Sequence, residues 1–181
     1  MIRQTFASRI GAAVLMVGLA SVGVVADDAA LADAAGRRRA AENGLSAIKQ
    51  KSPTDAGRVS AAYTEAATRQ NAWLDLTVSA VNSPVATAPD VQSIADAAAA
   101  ALIPWVNARN EALGQPTLTP LAVDVTKRAV VKNLLAISTS AWKDYRGAKA
   151  QKRAKAVDAL NQQLRWKSFA EVSASGPAAG R

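Results

Sequence analysis

Neither cysteine nor histidine occurs among the 181 residues. Without cysteine there is no disulfide, so the fold must rest on packing and hydrogen bonding alone. Without histidine, Ser-His-Asp and Cys-His nucleophile systems are excluded. Zinc sites built on His or Cys, haem held by a protein histidine and the Glu-x-x-His di-iron sites of helical bundles are excluded with them. Carboxylate, Lys, Tyr and Ser chemistry is all that is left. No phosphate loop, dinucleotide fingerprint or calcium loop is present, so no cofactor and no metal site is expected. Aromatic residues are scarce at 4% of the chain, and the large apolar side chains that would make a thick core are few.

Alanine takes their place. It has the best helix propensity and loses no side-chain entropy on burial. It also buries little area, so a core built on it is thin, with helices packed closely along their length. The expected fold class is all-α: an antiparallel bundle of about four long helices after a cleaved signal peptide, with a basic C-terminal helical extension.

The targeting segment is read over residues 1–26. Arg3 and Arg9 supply a positive start, and Ile10 to Val25 is a run without charge. Val24-Val25-Ala26 offers compact residues before a cut, and Asp27-Asp28 follows. The run is shorter than the ~20 apolar residues a membrane-spanning helix needs, which favours cleavage after Ala26 over retention as an anchor. The expected location is periplasmic or secreted, with no transmembrane span in the mature chain.

Residues 27–171 are expected to form a single helical domain. A first helix is placed at about 27–50, with Leu31, Ala34, Ala41, Leu45 and Ile48 on one face and Gly36 and Gly44 weakening it. A second, at about 53–82, is given Ser52 as cap and Pro53 as its first residue. Its expected stripe is Val59, Tyr63, Ala66, Trp73, Val78 and Val81. A third, at about 89–113, contains five consecutive alanines from Ala97 to Ala101, ends on Gly114, and should be kinked or broken at Pro104. The last stretch runs over 119–171 from Thr119-Pro120, with a bend at Gly147; its segment Ala129 to Ile137 reads as the most buried of the bundle. Residues 172–181 are expected to be a disordered tail.

Charge is divided unevenly. Residues 27–125 hold 8 Lys/Arg against 11 Asp/Glu, whereas residues 126–181 hold 12 against 3. Such a concentration repels itself unless something anionic offsets it. Lys143, Arg146, Lys149, Lys152 and Arg153, with Trp142 and Tyr145 one turn apart among them, are the candidate binding residues. The plain alternative is a solvated helix face with the two aromatics turned to the core. External partners of matching charge are an acidic protein or an anionic envelope component, either lipid head groups or cell-wall polymer. Nucleic acid is the least favoured, since no reader motif is present. An oligomer is left open.

Enzymatic readings are weaker. Ser46-Ala47-Ile48-Lys49 and Ser140-Ala141-Trp142-Lys143 match the Ser-x-x-Lys spacing of acyl-enzymes, but neither Ser-Asp-Asn nor Lys-Thr-Gly accompanies them. A carboxylate-dependent cell-wall hydrolase would draw on Glu42, Glu65, Glu111 or Glu171, each of which reads as a solvated helix residue. The composition is similar to that of exported, basic, helical stress chaperones, whose Leu-Thr-x-x-Gln repeats are missing here. The expectation is a non-enzymatic binding or scaffold protein of the cell envelope. A carboxylate hydrolase and a membrane-retained subunit of an envelope or secretion assembly stand as the alternatives.

Overall fold

The computed structural model of the chain describes residues 28–139 and 147–174. They form six helices and no strand: α1 (Asp28–Lys51), α2 (Ala56–Val81), α3 (Ala88–Ala112), α4 (Pro120–Ile137), α5 (Ala148–Leu164) and α6 (Phe169–Ala174). The described part of the chain is all-α. None of these helices is long and apolar enough to cross a membrane. The signal segment read over 1–26 lies outside the described residues, as do Trp142, Lys143, Tyr145 and Arg146.

Local chemistry sets most of the boundaries. Asp55, rather than Ser52, caps α2: its carboxylate accepts from the Arg58 N–H at 3.0 Å. The chain reaches that cap through a turn in which the Asp55 N–H donates to Ser52 O. Thr87 and Asp90 form a capping box at the start of α3. The Thr87 hydrogen bonds hold the exposed Asp90 carboxyl below the usual carboxylate range. Gly114, at φ 67°, supplies the left-handed residue that stops this helix. Thr119 caps α4 through the Ala122 N–H, with Pro120 in the first turn.

Pro104 does not break α3, which runs through it. A proline cannot donate to the carbonyl four residues before it, here that of Ala100. Both residues are exposed, so water can serve that carbonyl and the helix survives.

The stretch expected to be helical over 119–171 is divided into α4, α5 and α6. Gly147, at φ 76°, precedes α5. The gap between α5 and α6 is held from outside. Asn71 on α2 accepts from the Trp166 N–H at 2.9 Å and donates to Trp166 O at 3.0 Å. Gln70 donates to Leu164 O at 3.1 Å. These side chains replace the intrahelical bonds that the break leaves unmade. Ser168 then caps α6 and lowers the Glu171 carboxyl by hydrogen bonding. Helix α6 extends to Ala174, into the stretch expected to be a disordered tail.

α1 packs mainly on α2 and α3, and α4 lies between α3 and α5. Contrary to the reading from its apolar run, α4 is not the most buried helix. It buries Val130, Leu134 and Ile137, whereas α2 and α3 each bury several more residues. Leu102, Trp105, Leu74 and Tyr63 are fully enclosed. Trp73 meets Trp105 edge-on at 4.2 Å between ring centroids, and Tyr63 packs against Trp166 at 5.2 Å and Phe169 at 5.4 Å.

The core also holds a charge pair. Arg38 and Glu42 of α1 are 2% and 4% exposed, and Arg38 Nη1 donates to Glu42 Oε1 at 2.6 Å. Glu42 is therefore not the solvated helix residue its sequence suggests. The Arg38 guanidinium lies 3.8 Å from the centroid of the Trp105 ring, a cation–π contact, and 5.6 Å from that of Trp73. Burial lowers the pKa of Arg38 and raises that of Glu42, and in both cases it outweighs the attraction of the partner. The buried stripe of α1 is thus Ala34, Arg38, Glu42 and Leu45, two charged residues among two apolar ones.

Candidate binding groove

Where α3, α4 and α5 meet, they leave a groove of ≈ 1080 Å³. Its floor is made of small residues: Ala99 and Ala100 from α3, Ala136 from α4 and Ala156 from α5. Val131 and Leu135, one turn apart on α4, form an apolar ridge within it. Cations stand around this floor. Lys127, Arg128 and Lys132 come from α4, and Lys149, Lys152 and Lys155 from α5. Among the described residues, Asp96 on α3 is the one acid in the lining, and it accepts a hydrogen bond from Gln92 Nε2 at 3.0 Å.

Helical spacing explains the gathering. On α5, Lys149, Lys152 and Lys155 recur every third residue and keep to one side of the cylinder, with Ala156 below them. On α4, positions 121, 125, 128, 132 and 135 alternate four- and three-residue steps, so Leu121, Val125, Arg128, Lys132 and Leu135 share one face. All five are exposed. Leu121 is 76%, Val125 60% and Leu135 40% exposed. Of the four large apolar side chains exposed among the described residues, only Val85 lies elsewhere. The face is therefore apolar at its two ends and cationic between them.

Of the candidate binding residues read from the sequence, Lys149 and Lys152 line the groove. Arg153 does not. It is half-buried, and its Nη1 lies 3.5 Å from Asn82 Oδ1 at the α2–α3 corner, where Thr139 also donates to Asn82 O. The contribution of α4 is not among the candidates read from the sequence, because Lys132 looks like an interruption of the apolar segment Ala129 to Ile137 and Lys127 and Arg128 lie just before it. The spacing of Leu121, Val125, Arg128, Lys132 and Leu135 was the available signal.

The groove offers positive charge and apolar area. Among the described residues, no group of three or more Asp or Glu could hold a metal ion. Among the described residues the one enclosed carboxylate, Glu42, lies in the core against Arg38 and is not part of the groove lining. Fold and site together define an all-helical protein with a cationic groove. Comparison with family models, with curated proteins and with solved structures returns no match.

Proposed function

We propose that this is an exported, non-enzymatic helical binding protein of the cell envelope, built as an antiparallel bundle and using its basic C-terminal half to hold an anionic or acidic partner. The observation that carries the reading is the convergence of six cations from α4 and α5 around one groove with a single acid among the described lining residues. Gathering like charges costs electrostatic energy in the free protein, and an oppositely charged partner recovers it. The apolar floor adds area that a partner would remove from water. Export is supported by the charged start, uncharged run and compact residues of 1–26.

The test is charge reversal in the groove. Lys132→Glu, Lys149→Glu and Lys152→Glu together should release the protein from the envelope fraction and leave its helical circular dichroism intact. Reversal of Lys51 and Lys167, exposed cations outside the groove, should not release it. Retention of the triple variant at the wild-type level contradicts the reading.

A further inference from the structure

We infer that the groove and the outer face of α4 together form the docking site for an acidic amphipathic helix of a partner protein. The inference rests on the proposed binding role and names the class of partner.

Three observations favour a helix. The first is size. A helix about 10 Å across rises 1.5 Å per residue, so three turns occupy about 1,300 Å³; the groove, ≈ 1080 Å³ and open to solvent, is of the size to receive one side of such a helix. The second is the floor. Ala99, Ala100, Ala136 and Ala156 let another backbone approach closely. The third is the face of α4. Leu121, Val125 and Leu135 are exposed at helix-pairing spacing with Arg128 and Lys132 between them. A partner helix lying along this face would span about 20 Å, some fourteen residues. It would cover the three apolar side chains with an apolar stripe of its own and set acidic residues against the α4 and α5 cations. Asp96 would select a basic residue on the partner near it and so fix its direction.

Charge decides among the occupants. A second copy of this chain docked through the same face would press Arg128 and Lys132 against their equivalents, which is repulsive. A featureless polyanion would answer the cations but leave Leu121 and Val125 in water.

The test uses a stapled helical peptide of about sixteen residues, with leucine on one stripe and glutamate on both flanks. Its binding to the full chain is read by fluorescence anisotropy. Two controls accompany it: a scrambled peptide of the same composition, and vesicles of phosphatidylglycerol. The expected result is that the helical peptide binds at least about tenfold more tightly than the scramble. Leu121→Asn with Val125→Asn, and separately Ala100→Trp, should each weaken it by about tenfold. These residues are exposed and the substitutions keep the charge, so the fold is undisturbed, and circular dichroism checks it.

Equal binding of the scramble overturns the inference. So does charge reversal at Lys132 and Lys152 abolishing peptide binding while the Leu121/Val125 and Ala100 variants change nothing; the groove then reads charge alone, and the binding role stands. Vesicle binding that is lost in the Leu121/Val125 and Ala100 variants, with no peptide binding, overturns it in favour of lipid. Charge reversal without effect on either peptide binding or envelope retention removes the binding role itself.

Discussion

The molecule treats charge in two opposite ways. In the core, Arg38 and Glu42 sit one helical turn apart, paired at 2.6 Å and roofed by the Trp105 ring. On the surface between α3, α4 and α5, six cations and one aspartate are the charged residues of the groove lining among the described residues. The buried charges are paired one to one and sealed; the exposed ones are gathered, mostly of one sign, on a single surface. Burial penalises an ion far more than water does, so a concentration of like charge is tolerable at the surface and not in the core. The difference separates two kinds of residue. Changes at Arg38 or Glu42 should alter stability, and changes at the groove cations should alter binding.

The largest effect that would break this comparison lies in the core. Glu42→Ala strands Arg38 without its anion and should cost about 3–5 kcal/mol in urea unfolding. Arg38→Met with Glu42→Leu removes both charges and should recover most of that loss. Arg38 Nε has no hydrogen-bond partner among the described residues. A double variant as unstable as the single one would show that the cation–π contact, not charge matching, holds α1.

A smaller effect is expected at the α5–α6 break. Asn71→Ala removes both of the bonds it makes to the Trp166 backbone and should cost about 1–3 kcal/mol, again measured by urea unfolding. In the groove, Lys132→Glu with Lys152→Glu should change stability by less than about 0.5 kcal/mol, because neither residue is buried. A loss of several kcal/mol would mean that these lysines are structural.

The smallest effect is a pH slope. Burial raises the Glu42 carboxyl, so the folded state holds that proton more tightly than the unfolded chain does. Stability from this group is therefore present below the ordinary glutamate pKa and is lost as pH rises through the raised folded value. Asp90 and Glu171, lowered by their Thr87 and Ser168 caps, contribute oppositely: their stability is present above the ordinary carboxylate values and is lost as pH falls. Glu42→Gln should remove the first slope and leave the second, as read from urea midpoints across the acid range.

Much of the helix framework was legible because its signals are local. Thr119-Pro120 and Gly114 act where their residue types say they should. Features that depend on distant partners were not legible. Nothing around Arg165 to Ser168 announces a break; its hydrogen bonds come from Gln70 and Asn71, 94 and 95 positions away. Glu42 reads as a solvated residue because charge is normally solvated; its pairing with Arg38 under the rings of Trp73 and Trp105 comes from the packing of α2 and α3 and has no local signal. The lysines of α5 stood out as a cluster. Those of α4 did not, since an apolar run was taken for a buried helix, and only the placement of α3 and α5 decides which side of it faces water.

The central claim is that the α4–α5 cations meet a partner at one place. Site-specific photo-crosslinking in cells tests it most directly, with the reactive residue at Lys152 in one strain and at Lys51 in another. A single discrete adduct from position 152, absent from position 51 and lost on reversal of Lys132 and Lys149, is the predicted result. Equal labelling from both positions, or none from 152, would contradict it.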